Sequence, residues 1–108
     1  MATSRYRIQI HQRVNQEDLP GLTDELREIF EDVCQSVLIL DPHRCLGLSS
    51  HGLKGKLKNH RAVELEWNGV TYRLVYRIYD KPAPKRVVVL SFAEHDPAYE
   101  RAIARRSE

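Results

Sequence analysis

Ala62-Val63-Glu64-Leu65-Glu66-Trp67-Asn68-Gly69-Val70-Thr71-Tyr72-Arg73-Leu74-Val75-Tyr76-Arg77-Ile78-Tyr79 is the stretch that decides the fold. Apolar and polar residues alternate up to Trp67 and alternate again from Val70, the period of a strand with one buried face. Between the two runs stands Asn68-Gly69, a pair suited to the two positive φ angles of a tight hairpin turn. A two-residue turn sets Trp67 opposite Val70, Leu65 opposite Tyr72 and Glu64 opposite Arg73. Val63, Leu65, Trp67, Val70, Tyr72, Leu74, Tyr76 and Ile78 then share the core face. Glu64, Glu66, Thr71, Arg73, Val75, Arg77 and Tyr79 share the other.

Downstream, a polar loop holding Pro82 and Pro84 leads to residues 86–92, where Val87-Val88-Val89-Leu90 runs unbroken; such a run fits a central strand buried on both faces. Asp96-Pro97 reads as a cap residue followed by proline at the first helical position, opening a short helix to about residue 105. Upstream, residues 41–60 have no clear period and read as an ordered loop. Before them, Leu26, Ile29, Phe30, Val33, Cys34, Val37 and Leu38 make one continuous apolar helix face. Thr23 caps that helix, Asp24, Glu25 and Glu28 suit its positive end, and Asp41-Pro42 ends it. Residues 14–19 fit a turn or two of helix before Pro20-Gly21, and residues 6–10 fit a half-buried strand. The expected architecture is α+β: an N-terminal strand, helical segments, an antiparallel three-stranded meander and a short C-terminal helix, in one domain over residues 1–108.

The 108 residues are 42% hydrophobic and 30% charged, a balance for a packed globular fold and too apolar for a disordered chain. Aliphatic runs of four residues are far short of a membrane span. No apolar stretch follows the N-terminal charges, so a cytoplasmic protein without a secretory signal is expected. Two cysteines are too few for a disulfide-built scaffold, and Cys34 falls on the apolar helix face, where packing accounts for it. His43, Cys45 and His51 fit no zinc spacing, so neither a metal nor another cofactor is expected. The net charge of +2 is unevenly spread: residues 1–53 carry five basic and eight acidic side chains, residues 54–108 twelve and seven. A basic half points toward a phosphate-bearing partner, although an ordinary solvated surface would look the same.

The non-core face of the hairpin carries Arg73 and Arg77, with His95 at the end of the third strand and Tyr99 a turn into the last helix. Lys54, Lys56, Lys58, His60 and Arg61 lead into the hairpin. These types suffice for RNA cleavage by 2′-hydroxyl attack. A base takes the hydroxyl proton, cations stabilise the pentacoordinate phosphorus, and an acid protonates the departing 5′-oxygen. His95 is the group whose ordinary pKa suits proton transfer near neutrality. Arg73 offers a fork of donors to phosphate oxygens, and Tyr99 a ring to stack on a base. The same residues also suit an ordinary Glu64–Arg73 cross-strand pair, a structural histidine and a packing tyrosine.

Leu53-Lys54-Gly55-Lys56-Leu57, then Tyr72-Arg73-Leu74-Val75-Tyr76-Arg77-Ile78, then Phe92-Ala93-Glu94-His95-Asp96-Pro97-Ala98-Tyr99 together resemble the RelE/ParE toxin superfamily, the small toxins of bacterial type II toxin–antitoxin systems. The resemblance covers most of the chain. It implies the RelE-like microbial RNase fold and a ribosome-dependent mRNA endonuclease acting in the ribosomal A site. It also implies an antitoxin, the ribosome and mRNA as partners, and a free toxin that is monomeric and enters a higher-order complex with its antitoxin. Arg73 corresponds to the family arginine on the scissile phosphate, Tyr99 to its C-terminal tyrosine, and His95 to a histidine present in several relatives. Lys54, Lys56, Lys58, His60, Arg61 and Arg77 would contact RNA. Glu64 and Glu66 stand where well-studied RelE toxins carry two lysines, a change that opposes RNA binding by like-sign repulsion. Alternatively Glu64 acts as general base, as in relatives that pair a glutamate with an arginine. A ParE-like inhibitor of DNA gyrase and a degenerate toxin that mainly binds its antitoxin are the competing readings.

Overall fold

The computed structural model describes residues 5–107. Its frame is the expected hairpin: β3 (His60–Trp67) and β4 (Val70–Tyr79) pair antiparallel with Trp67 opposite Val70, Leu65 opposite Tyr72 and Glu64 opposite Arg73. Asn68 and Gly69 take φ of 51° and 77°, the two positive values that make the turn follow the strand twist. A Cβ built on Gly69 meets nothing within 4 Å, so its substitution carries a backbone penalty alone. Gly69→Ala is therefore expected to cost about 1 kcal/mol, read from urea denaturation as a lower midpoint with an unchanged slope.

β5 (Arg86–Glu94) lies antiparallel against the other side of β4, and β1 (Arg7–Ile10) runs parallel to β5. A fifth strand not foreseen from the sequence, β2 (Ser50–Gly52), pairs with β3, giving the order β1-β5-β4-β3-β2. Its three residues have no readable pattern, and pairing with β3 defines it. The β4–β5 register shifts between Val75, opposite Ser91, and Tyr76, opposite Val89, leaving Leu90 as the extra residue of a bulge. Val89 and Phe92 consequently reach one face of the sheet although three residues apart, and Leu90 and Ala93 reach the other. The Val-Val-Val-Leu run is thus buried between two layers.

One layer is α1 (Asp24–Val33), where the Thr23 hydroxyl accepts the Leu26 N–H at 3.2 Å. Wider π-type turns follow over Cys34–Leu38. Leu26, Phe30, Val33, Cys34 and Leu38 bury against Val63, Leu65, Leu74, Tyr76, Val87, Val89 and Phe92. The predicted core face holds at Val63, Leu65, Leu74 and Tyr76, while Trp67, Tyr72 and Ile78 are only partly covered and Val70 at the hairpin tip is exposed. The opposite layer is α2 (His95–Arg105), whose Ala98 and Ala102, one turn apart, lie against Ala62, Val75, Leu90 and Ala93. Glu94, not Asp96, is the residue before the first turn, so α2 begins two residues earlier than the cap-and-proline reading placed it. Pro97 still fits, because first-turn N–H groups have no intrahelical partner to lose.

A buried ionic knot ties these layers. Asp18, at the end of a π-type turn over Val14–Asp18, accepts the Phe92 N–H at 2.9 Å, Arg101 at 2.9 Å and both terminal nitrogens of Arg105 at 2.9 and 3.0 Å. Among the described residues no helix is long and apolar enough to cross a membrane.

Candidate functional site

Arg73 stands at mid-length of β4, flanked by Glu64 of β3 and Ala93 of β5. The pleat turns its side chain toward the α2 layer, and β5 runs straight into α2, so the first turns of that helix arrive beside it. One terminal nitrogen lies 3.5 Å from Glu64 Oε1, and the guanidinium carbon is 5.8 Å from the centroid of the Tyr99 ring. Its Nε is buried without a hydrogen-bond partner. The Arg73 side chain is 17% exposed, so much of its hydration is already lost.

Contacts extend from Arg73 in two directions. On the strand side, Glu64 Oε1 is 3.7 Å from Nδ1 of His51. On the helix side, the Tyr99 ring meets His95 edge-on at 4.7 Å between centroids, and His95 Nδ1 lies 2.6 Å from Asp96 Oδ1. His51, Glu64, Arg73, Tyr99, His95 and Asp96 therefore form one continuous contact chain, with an imidazole–carboxylate pair on each side of a guanidinium. Burial pushes the Tyr99 phenol above its ordinary pKa, Arg73 opposes that and Glu64 adds to it, so the hydroxyl keeps its proton near neutrality.

The structure thus brings Arg73, Glu64, Tyr99 and His95 together. Lys54 and Lys56 line an open groove of about 500 Å³ beside them, whose walls include His51, Leu53, Leu57, Tyr99 and Ile103. Lys58 is exposed nearby, and its carbonyl accepts the Nδ1–H of buried His60 at 3.1 Å. Arg77 is four residues along β4, opposite His60 and stacked on Tyr79 at 4.8 Å. Arg61 is separate: it shares a face with Val63 and Tyr76, on the α1 side, and donates to Ser50 Oγ at 3.1 Å.

Sequence reasoning missed His51 and Asp96 as members of the cluster. His51 reaches Glu64 because β2 pairs it with Ala62, one residue pair away on the same face; only the unrecognised strand carries that information. The three residues weighed as metal ligands are apart in their contacts: His43 meets Asp80, Cys45 bonds Tyr76 Oη and the Pro42 carbonyl, and His51 meets Glu64.

The chain matches no family model and no curated protein by sequence. By structure it is similar to a chain of the toxin–antitoxin complex RelBE2 from Mycobacterium tuberculosis, with TM-score 0.65 and 21% identity over 87% of this chain and 95% of that one. It is equally similar to an arginine mutant of the Escherichia coli toxin RelE in the free state, with TM-score 0.65 and 19% identity over 94% and 97% of the two chains. A conserved hypothetical protein of Helicobacter pylori follows, with TM-score 0.53 and 23% identity over 83% and 94%. At these identities the likeness is one of fold. The chain has the α+β fold of the RelE toxin structures.

Proposed function

We propose that this chain is the toxin of a type II toxin–antitoxin pair and cleaves mRNA on the ribosome. The observation that carries the reading is the contact chain, in which a guanidinium lies between two imidazole–carboxylate pairs. Arg73 holds the scissile phosphate and stabilises the charge that builds on it. His51–Glu64 and His95–Asp96 supply the base for the 2′-hydroxyl and the acid for the 5′-oxygen. Tyr99, protonated and beside Arg73, stacks on a base or donates to the backbone. Glu64 does not stand as a bare negative charge, because Arg73 and His51 both face it; this answers the repulsion that a carboxylate brings to an RNA site. An antitoxin is the natural partner, since one of the similar structures is a toxin–antitoxin complex, and the ribosome would position the message.

The test is a map of new RNA 5′ ends after brief induction of the chain alone in bacteria. Cuts confined to translated frames and phased to codons are expected. Arrest with intact messages and stalled gyrase–DNA complexes would replace this reading with a ParE-like one, and absence of arrest with folded protein would leave a degenerate toxin. In the same assay His95→Gln is expected to lower cut frequency by ~10²-fold. Because the imidazole is exposed, thermal stability should stay within about 0.5 kcal/mol of the parent.

A further inference from the structure

We propose that the concavity at the C-terminal end of α2 is a second phosphate-binding site, made by Arg77, Arg86 and Arg106 for the backbone of an RNA strand that also passes the Arg73 cluster. The inference rests on reading that cluster as an RNA site. The concavity, about 230 Å³, is formed where β1, β3, β4 and β5 meet the end of α2, and no carboxylate of a described residue lines it. Arg77 and Arg86 converge on one ring, their guanidinium carbons 4.8 and 4.1 Å from the Tyr79 centroid. Neither forms a hydrogen bond or ion pair with a described residue. Two like charges gathered at one aromatic ring repel one another, and an anion bound beside them offsets that cost. The helix end itself would oppose an anion through its free carbonyls. Arg106 offsets this by donating from Nη1 to the Ile103 carbonyl at 3.0 Å. His60, on the same side, is held neutral by burial, with Arg77 and Arg106 adding to the effect, so the positive charge there is carried by arginine.

Placement selects a polymer over a lone small anion. Arg73 and Arg77 face the same way on β4, about 13 Å apart at the rise of a strand. α2 covers Val75 between them, so a strand joining the two sites must follow the helix flank. Lys54 and Lys56 line the groove on that flank, and Ile103 of the groove precedes Arg106 by one turn. Cations therefore mark both ends of the path and its middle.

The test uses a fluorescein-labelled 2′-O-methyl oligoribonucleotide, which cannot be cut by 2′-hydroxyl attack, titrated by anisotropy over a range of NaCl concentrations. Arg77→Gln and Arg86→Gln are each expected to weaken binding several-fold at 0.1 M salt and to flatten the log–log salt slope by about 0.7, the loss of one phosphate contact. Arg86→Lys should restore the slope, and Arg44→Gln, an exposed cation elsewhere, should not change it; circular dichroism checks folding throughout. Parent-like slopes in both glutamine variants would overturn the second site. Inorganic phosphate shifting the Arg77 and Arg86 Nε–H resonances while the RNA slopes stay unchanged would assign the concavity to free anions and overturn the RNA assignment. Failure of the parent protein to bind the oligonucleotide also overturns it, whereas the cleavage reading stands or falls separately on the 5′-end map.

Discussion

Arg73→Gln is expected to lower codon-phased mRNA cleavage by about 10²–10³-fold, the usual effect of removing one preorganised donor from a developing oxyanion, and to relieve growth arrest. Its position and its charge both favour the charged intermediate. The backbone of a central strand places the side chain, Tyr99 lies beside it, and Glu64 approaches one terminal nitrogen, leaving other terminal donors for a phosphate. Glutamine retains an N–H but loses the charge and the fork, and it leaves Glu64 facing the incoming phosphate with only His51 to balance it. Arg73→Gln combined with Glu64→Gln should therefore recover some RNA binding without recovering cleavage, a non-additivity that identifies the pair as coupled. Stability should fall by about 1 kcal/mol, because Glu64 is partly solvated and its contact to Arg73 is loose at 3.5 Å. Full toxicity of a folded Arg73→Gln protein would sink the assignment.

The hairpin was legible because one face is buried and a two-residue turn locks register: Glu64 opposite Arg73 follows from counting outward from Asn68-Gly69. The helix over residues 24–33 was legible from its apolar stripe and cap. Arg61 shares the odd-numbered face of Val63 and Leu65, a parity that the grouping with the basic residues of the loop passed over. What stayed hidden depends on distant segments. Ser50–Gly52 is a strand only because β3 offers it an edge, and the bulge at Leu90 leaves no trace in a run of apolar residues. His51 reaches Glu64 through that edge strand, and Asp18 meets Arg105 across 87 positions. No local period encodes either contact.

The largest expected effect on stability is at that last contact. Arg105 is 1% exposed and Asp18 is 3% exposed. The guanidinium donates to both carboxylate oxygens at 2.9 and 3.0 Å, to the Leu90 carbonyl at 3.0 Å and to Glu17 at 3.2 Å. Burial alone would draw the Arg105 pKa down, but its hydrogen bonds to Asp18, with Glu17 assisting, raise it instead, so the guanidinium keeps its charge. Removing one partner strands the other in a space with little water. Asp18→Ala is expected to destabilise by about 3–5 kcal/mol and to lower Tm by roughly 20 °C in a domain of this size. Arg105→Met should cost less, since Arg101 and the Phe92 N–H still serve Asp18. Replacing both with apolar residues should recover much of the loss, because it removes the stranded charge with the pair. Calorimetry on the three variants decides this, and single-variant losses below about 1 kcal/mol would refute it. The knot matters to the site through geometry. It fastens the last turn of α2 to β5 and to the turn that carries Asp18, and the same rigid helix holds Tyr99 against Arg73 and His95 against Tyr99. A folded Asp18→Ala protein at low temperature should thus cleave less than its folded fraction accounts for, as α2 loses its anchor and Tyr99 its fixed approach to Arg73.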